Sequence, residues 1–332
     1  AAGSILGQRW RLRRRVGKGT FSEIYEAADL QGEKGADGRH PHVAVKIARD
    51  AHKCSMLQHE QEVLQGLQGC PSIARHIDLG KDGGSSYLVM TLLGENISEL
   101  RRLTPAKRFS LRTTALLGLQ LLEGLRRMHE AGYVHRDIKP ANCCIGLENG
   151  SETFLCDFGL ARRWKLPNGD VRPKRDRVEF RGTCRYASVQ SHLHEELGRR
   201  DDLWSLLYML LELHTGELPW HSTRDHDAVL QLKKQFDAKL RQSEGDGEPP
   251  LSDEGVQIPR GFIELLRDLR GLTFEQEPHY GFFRSVLRRM LEGDGGGGGG
   301  EEEPLDWRSE GVPDEKRVFQ RFSRHAAPTP SS

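Results

Sequence analysis

Two short polar segments limit what this chain can fold into, because together they require a cleft that gathers three oxygen-bearing side chains. Residues 133–142 read Tyr-Val-His-Arg-Asp-Ile-Lys-Pro-Ala-Asn, and residues 156–159 read Cys-Asp-Phe-Gly. Phosphoryl transfer needs one carboxylate at the attacking hydroxyl, and a second carboxylate and an amide oxygen on the magnesium ions. Asp137, Asn142 and Asp157 are of these types and in this order. Either segment alone arises easily by chance, but the pair predicts Asp137 as the catalytic residue and Asn142 and Asp157 as metal ligands.

The size and charge of the chain are consistent with a cleft between two lobes. Its 332 residues, of which 36% are hydrophobic, are enough for the cores that such lobes need. The 49 Lys and Arg residues nearly balance the 48 Asp and Glu residues, so the net charge of +1 gives no general attraction to nucleic acid or to a membrane. The arginines within residues 9–15 are interleaved with apolar residues, and we interpret them as the solvated face of a strand rather than as a nucleic-acid-binding arm.

The cysteines indicate the redox environment. They lie at positions 54, 70, 143, 144, 156 and 184 and form no Cys-x-x-Cys pair. This sequence contains no stretch that resembles a secretory h-region and no apolar run of the ~18 residues that cross a bilayer. We therefore expect reduced thiols and a location in the cytoplasm, with the nucleus as an alternative. The first residues are Ala-Ala-Gly-Ser rather than Met, which is consistent with a piece of a longer protein.

A glycine-rich turn near the N-terminus predicts a phosphate-binding loop between two strands. Gly17 and Gly19 let backbone N–H groups approach phosphate oxygens, where a Cβ would obstruct the turn. A Gly-x-Gly by itself is more often an ordinary hairpin, so this interpretation depends on the segments that follow.

A lysine in the middle of an apolar strand predicts a second phosphate contact. Residues 43–47 form a β-branched run with Lys46 inside it, which is explained if its ammonium holds the α- and β-phosphates and is oriented by a carboxylate. On the predicted helix 56–67, Glu60 has helical spacing with the apolar residues, whereas Glu62 lies on the opposite side. We assign Glu60 to Lys46 and place Glu62 in solvent. The alternative is a surface helix with incidental acidic residues.

A long amphipathic helix is predicted to support the catalytic loop. Residues 111–129 carry leucines at helical spacing, and the helix is expected to end at Gly132. In the loop that follows, Asp137 would accept or orient the proton of the substrate hydroxyl, a role that contributes about 10²–10⁴ in rate. Lys139 is close enough in sequence to stabilise the transferring phosphate, and a lysine there is typical of serine/threonine rather than tyrosine kinases.

A basic segment follows Asp157. Residues 162–185 contain many arginines and few acidic residues. Guanidinium groups beside a catalytic loop favour acidic or phosphorylated partners, because Arg makes bidentate contacts with such anions. A merely solvated loop is the alternative for most of these arginines taken individually. Thr183, in the same segment, is expected to hydrogen-bond in the region of Asp137 and Lys139.

Several segments of the C-terminal half carry a resemblance to a known family. They are Arg-Gly-Thr-Cys-Arg-Tyr-Ala-Ser-Val at 181–189, Gly-Arg-Arg-Asp-Asp-Leu-Trp-Ser-Leu at 198–206, Leu-Pro-Trp at 218–220, Gly-Asp-Val-Arg-Pro at 169–173 and Asp-Trp at 306–307. With these segments the chain resembles the casein kinase I superfamily of protein kinases and is most similar to its tau-tubulin kinase branch. The likeness extends over most of residues 7–308.

The resemblance implies a fold and a domain organisation. The expected class is α+β, a two-lobed protein kinase fold over residues 7–292. Its small N-lobe, to about residue 92, would be mainly antiparallel β-structure with one long helix, and its larger C-lobe, 93–292, mainly helical. Composition adds a flexible Gly/Glu-rich linker at 293–303. Residues 304–332 would form a tail in which Asp306 and Trp307 pack back on the C-lobe.

The resemblance also implies ligands and site residues. It implies ATP with Mg²⁺, or Mn²⁺ as an alternative, protein substrates that are acidic or already phosphorylated, and a monomer. The hinge at 91–94 would bind adenine through backbone groups of Thr91 and Leu93, with Met90 at the back of the pocket; a plain strand and turn is the alternative. The full set of expected ATP-binding residues is Val16, Gly17, Gly19, Ala44, Lys46, Met90, Thr91 and Leu93. Anion binding is expected of Arg181 and Arg185, with Lys233 or Lys234 nearest to the family's lysine partner, and Asp202 would brace the catalytic loop.

These features together predict a serine/threonine protein kinase. A pseudokinase scaffold, which binds without transferring phosphate, is the alternative, and it would be expected to lack one of Lys46, Glu60, Asp137, Asn142 or Asp157. All are present. A small-molecule phosphotransferase would lack the long segment 157–187. Cys156, directly before Asp157, is interpreted as a small buried residue, with exposure to the nucleotide as the other hypothesis.

Overall fold

An antiparallel sheet forms the N-terminal part of the computed structural model, which describes residues 3–18, 22–48, 51–147, 150–242, 250–253, 255–292 and 305–308. Its strands are β1 (Ile5–Leu6), β2 (Trp10–Lys18), β3 (Glu23–Asp29), β4 (His42–Ala48), β5 (His76–Asp82) and β6 (Ser85–Thr91). They pair in the order β1-β2-β3-β4-β6-β5. The central strands β3 and β4 are buried along most of their length, as β-branched and small apolar residues allow.

One long helix, α1 (Ala51–Gly66), packs against β4, β5 and β6. Leu57, Val63 and Leu64 are buried on this side, and Glu60 is buried with them. Because residues three and four apart share a helix face, the apolar contacts that dock α1 also fix the position of Glu60.

The larger C-terminal part is mainly helical. Its helices are α2 (Ile97–Leu103), α3 (Leu111–Glu130), α4 (Val189–His192), α5 (Arg199–Thr215), α6 (His226–Gln242), α7 (Arg260–Arg270) and α8 (Tyr280–Glu292). Short strands lie between α3 and α4: β7 (Tyr133–Val134), β8 (Cys143–Ile145), β9 (Thr153–Leu155) and β10 (Arg162–Arg163). Single 3₁₀ turns lie at Pro140–Asn142, Phe158–Leu160 and Asp306–Arg308. The predicted α+β architecture, with an antiparallel sheet and one long helix followed by a mainly helical part, is confirmed.

Helix α5 occupies the centre of this part. Nearly all of its residues are buried, including Leu203, Leu207 and Leu210, and it packs against α3 and α7. Helix α3 begins at the N-cap Ser110, whose side chain accepts a hydrogen bond from Thr113 N, and the chain turns at Gly132 with φ of +88°. α3 therefore directs the chain into β7 and the loop after it. No helix among the described residues combines the length and the apolar composition that crossing a membrane requires.

The Asp306–Arg308 turn packs on the C-lobe. Trp307 is 2% exposed, and its ring centroid lies 5.3 Å from that of Phe109. Asp306 Oδ2 accepts a hydrogen bond of 2.6 Å from the backbone N–H of Ser110. The turn thus covers the start of α3. The expected linker at 293–303, residue 304 and residues 309–332 of the expected tail lie outside the described residues.

Removing the indole tests this contact. Trp307→Ala should lower the free energy of unfolding by about 3–5 kcal/mol, because it removes a large buried ring and leaves a cavity beside Phe109. Trp307→Phe keeps part of the ring and should lose less than half as much. Urea denaturation followed by circular dichroism measures both. A loss below about 1 kcal/mol for Trp307→Ala would show that the turn adds little to the C-lobe.

Candidate active site

A buried carboxylate holds the loop between β7 and the Pro140–Asn142 turn. Asp202, 1% exposed on α5, accepts backbone N–H bonds from His135 (2.7 Å) and Arg136 (2.8 Å) and lies 2.9 Å from His129 Nε2. Burial opposes ionisation of this carboxyl, but the hydrogen bond and charge of His129 outweigh it and hold the pKa of Asp202 below its usual value. Asp202 therefore fixes the loop backbone as expected of it, through two successive N–H groups.

A glycine of the basic segment lies close against this loop. Arg136 has a positive φ of +67°, which few non-glycine residues adopt. Gly182 has φ of +95°, and a Cβ built on it would lie 2.6 Å from Arg136 O. Only glycine allows the basic segment to approach the catalytic loop this closely.

Three polar side chains surround Asp137. Lys139 Nζ lies 2.6 Å from Asp137 Oδ2 and donates to Thr183 Oγ1 at 3.0 Å, while Thr183 Oγ1 donates to Asp137 Oδ1 at 2.8 Å. Asn142 Nδ2 donates to Asp137 O at 2.9 Å and to Oδ2 at 3.1 Å. These bonds fix the rotamer of Asp137, which is 8% exposed. Because Asn142 uses its Nδ2 atom in them, its amide oxygen is the atom that could bind a cation.

A second cluster surrounds Lys46 in β4. Its Nζ lies 2.6 Å from Glu60 Oε2 and 2.9 Å from Asp157 Oδ1. Burial disfavours the ammonium, but the two carboxylates outweigh burial and raise the pKa of Lys46 above its ordinary value. Burial likewise raises the pKa of Glu60, whereas for Asp157 the charge of Lys46 overcomes burial and lowers the pKa. Lys46 is therefore a fixed positive charge between the sheet and the Asp157 segment.

Asp157 has an unusual backbone. Its φ of +63° lies in the left-handed region, and its side chain is 51% exposed. Positive φ in a non-glycine residue is unfavourable and persists where the surrounding structure enforces it, which is common at functional sites.

Glu62, by contrast with Glu60, is exposed on α1, as its helical position indicates.

The residues expected to bind the nucleotide lie along β2, β4 and β6. Val16 is exposed on β2, and Gly17 pairs with Ile24 across the sheet. Ala44 and Met90 are partners in register on β4 and β6 and are both buried. Gly19 lies outside the described residues.

The hinge segment starts at Thr91, at the end of β6. The Thr91 amide already donates to Arg75 O at 3.0 Å, so an adenine contact from this residue would use its carbonyl group. Leu93, two residues later, is half-buried.

The arginines of the basic segment differ in their surroundings. Arg185 Nη1 lies 2.8 Å from the buried Glu212 and Nη2 donates to His221 O at 3.0 Å, so much of its donor capacity is used within the protein. Lys233, which the sequence offered as a lysine partner for an anion, is 1% exposed and donates to the carbonyls of Cys184 and Ala187. That part of the sequence interpretation is wrong, because those carbonyls bind the ammonium in the interior. Lys234 is exposed.

A basic cavity that the sequence did not single out lies beside the catalytic loop. Its volume is about 420 Å³, and the arginines that line it are Arg136, Arg162, Arg163, Arg172 and Arg181. Burial, followed by the positive charges of Arg162 and Arg181, lowers the pKa of Arg136 to about 10. The Nε of Arg136 donates to Leu160 O at 2.7 Å. Arg181 of this set was named as an anion-binding residue, and Arg162, Arg163 and Arg172 belong to the basic segment 162–185 that was expected to favour acidic or phosphorylated partners. The sequence feature that could have identified Arg136 as a residue of this cavity is its position between His135 and Asp137.

Removing the Asp202 carboxylate tests how the loop is held. Asp202→Ala should lower the free energy of unfolding by about 3–5 kcal/mol, because two buried N–H groups and His129 lose their common partner. Asp253→Ala removes an exposed carboxylate and should change it by less than about 0.5 kcal/mol. Urea unfolding measures both variants. Equal effects of the two substitutions would contradict this role for Asp202.

Comparison with known proteins agrees with this geometry. The model of the protein kinase domain family matches residues 10–276. A probable serine/threonine-protein kinase of Dictyostelium discoideum is 38% identical over 309 residues, which cover 92% of this chain and 58% of the relative. The chain thus spans little more than half the length of that relative. Because the family model covers most of the described lobes and both residue clusters, the chain belongs to the protein kinase domain family.

Proposed function

We propose that the chain is a serine/threonine protein kinase that transfers the γ-phosphate of Mg-ATP to hydroxyl groups of proteins. The observation that carries this proposal is the simultaneous presence of the Lys46–Glu60 pair and the Asp137 cluster. In protein kinases both the lysine pair and the metal-binding aspartate must be in place for transfer. Here Lys46 Nζ joins Glu60 and Asp157 within 2.9 Å.

The residues present fit ATP and a hard divalent cation. Mg²⁺ takes oxygen ligands, which Asp157 and the Asn142 amide oxygen can supply; Mn²⁺ accepts similar donors. Asp157 is half-exposed, and Asn142 is oriented by its bonds to Asp137. The metal ion and ATP would supply the transferable phosphoryl group and neutralise the charge on its oxygens. Lys46 would bind the α- and β-phosphates.

Asp137 would orient the substrate hydroxyl and accept its proton. Its Oδ atoms are held by Lys139, Thr183 and Asn142, so these bonds position the carboxylate for the substrate hydroxyl. Lys139 Nζ, within hydrogen-bond distance of Asp137, would compensate negative charge on the transferring group. Thr183 connects this machinery to the segment where a peptide would lie.

Within the family we infer that the chain is casein kinase I-like, of the tau-tubulin kinase branch, and that it prefers acidic or phosphorylated substrates. The arginine-lined cavity supports this inference, because it gathers five guanidinium groups and Glu62 is the one carboxylate among its lining residues. Such a group binds phosphate by charge-assisted, bidentate hydrogen bonds. Arg181 belongs to this cavity and lies 3.2 Å from the exposed Glu179, whereas Arg185 is paired with the buried Glu212.

The catalytic role of Asp137 is testable by an isosteric change. Asp137→Asn should reduce kcat by about 10²–10⁴-fold, because the amide cannot accept the hydroxyl proton. The Kd for Mg-ATP should stay within about twofold, since Asp137 is not expected to touch the nucleotide. Phosphopeptide mass spectrometry and nucleotide titration measure the two quantities, with the exposed Asp37→Asn as charge-matched control. If Asp137→Asn keeps the kcat of the wild type, Asp137 is not the catalytic residue. If the wild-type protein binds Mg-ATP but transfers no phosphate, the pseudokinase scaffold is favoured.

The preference for phosphorylated substrates is tested separately. Arg172→Gln should lower kcat/KM about tenfold or more for a peptide with a priming phosphate, since a hydrogen bond between charged groups contributes about 1.5–3 kcal/mol. It should leave kcat/KM for the unprimed peptide unchanged. Arg177→Gln, in the same segment but outside the cavity lining, is the matched control. Equal losses on both peptides would contradict an anion site at this cavity.

A further inference from the structure

Three potential metal ligands from separate segments meet behind the end of the basic segment. Cys184 directly follows Thr183, His192 ends α4, and His226 begins α6. Cys184 Sγ and one ring nitrogen from each histidine all lie within 4.8 Å of one another. None of the three takes part in the phosphoryl-transfer site described above.

The imidazole of His192 has an unused nitrogen. The residue is 8% exposed, and its Nδ1 is buried without a hydrogen-bond partner among the described residues. Its Nε2 lies 3.1 Å from Lys233 Nζ. A buried polar atom without a partner is unfavourable, and a bound ion is one of the few groups that would satisfy it. Nδ1 is therefore the nitrogen of His192 that is left for a ligand.

An aromatic ring orients both histidines. The ring centroid of Phe180 lies 5.3 Å from that of His192 and 4.2 Å from that of His226, and the two imidazole centroids are 5.7 Å apart. Contacts of this kind restrict side-chain rotation and reduce the entropy lost when a ligand binds. The two imidazole rings are thus held near each other without an ion.

A lysine side chain borders the cluster. Lys233 Nζ donates to Cys184 O and Ala187 O, and its contact with His192 is to Nε2, at 3.1 Å, which leaves Nδ1 for a ligand.

We propose that Cys184, His192 and His226 form a binding site for Zn²⁺, with water in the fourth position. Thiolate sulfur and imidazole nitrogen are donors that zinc prefers, and zinc sites with three protein ligands keep water in the fourth position. Tetrahedral zinc would bring these atoms to about 3.3–3.8 Å from one another, so rotation of the side chains, chiefly the exposed His226, must close the remaining gap. Bound zinc would join the segment that contains Thr183 to α6 and so restrict the region where a peptide would lie.

The test must distinguish this site from two other metal-binding groups. Cys144 Sγ and Cys156 Sγ are 3.1 Å apart and lie next to Asp157, and Asp157 and Asn142 are the expected magnesium ligands. The probe is therefore Co²⁺, added to protein with saturating Mg-ADP. A thiolate-bound tetrahedral cobalt ion gives a sulfur-to-cobalt charge-transfer band and intense visible bands, and these do not depend on kinase activity.

The wild-type protein should bind one equivalent of Co²⁺ with both spectral features, and Zn²⁺ should displace it. Cys184→Val should abolish the charge-transfer band, and His226→Gln should weaken cobalt affinity at least tenfold. Cys70→Val and His221→Gln, which change a cysteine and a histidine elsewhere, should bind like wild type. His226 is exposed, so its variant keeps the test valid if Cys184→Val folds poorly, and thermal unfolding checks all four.

Two results would overturn the proposal. One is the absence of the charge-transfer band in the wild-type protein at cobalt concentrations that saturate an ordinary Cys/His site. The other is a band that persists in Cys184→Val and His226→Gln but is lost in Cys156→Ser, which would place the metal on the Cys144 and Cys156 pair instead.

Discussion

The arrangement of the active site depends on one carboxylate in the centre of the C-lobe. Asp202 is buried because nearly all residues of α5 are buried. A buried ionised group requires hydrogen bonds that replace its hydration. The backbone N–H groups of His135 and Arg136 provide them. The same bonds keep Arg136 at positive φ, and so they determine where the next residue, Asp137, lies. Core packing and catalytic geometry are therefore linked through a single side chain.

Charge is distributed unevenly on the two sides of this loop. On one side, Lys46 is surrounded by Glu60 and Asp157, and each group stabilises the charged form of another. On the other side, burial and then the charges of neighbouring arginines lower the pKa of Arg136, and Glu196 relieves this repulsion only in part. The first arrangement suits a metal-bound polyphosphate, whose charges need fixed partners of both signs. The second has positive charge left over, which an anionic substrate group would neutralise.

Local patterns in the sequence predicted the parts of the site that depend on local structure. Glu60 could be assigned to Lys46 because the helix periodicity that buries Val63 and Leu64 also decides which acidic residue faces the sheet. The two-lobed α+β fold, with an antiparallel sheet and one long helix in the N-lobe and a mainly helical C-lobe, followed from the resemblance and is confirmed. Gly19, in the expected phosphate-binding loop, lies outside the described residues and stays a prediction.

Contacts between distant segments could not be predicted in this way. Lys233 has the sequence environment of an exposed lysine on an amphipathic helix, yet the carbonyls of Cys184 and Ala187 and the rings of Tyr208 and Trp220 surround it. In the sequence, Arg185 resembles a free anion-binding residue. In the structure, Glu212 on α5 is paired with it. The basic cavity likewise arises from tertiary structure, because its arginines come from β10, the catalytic loop and the segment after β10.

A crystal structure with Mg²⁺ and a non-hydrolysable ATP analogue would test the central claim most directly. It should show the triphosphate between the sheet and the catalytic loop, with Lys46 on its α- and β-phosphates. Magnesium should be coordinated by Asp157 and by the Asn142 amide oxygen, with Asp137 facing the γ-phosphate. A cleft that stays empty at saturating nucleotide, or a triphosphate bound away from Lys46 and Asp157, would contradict the account.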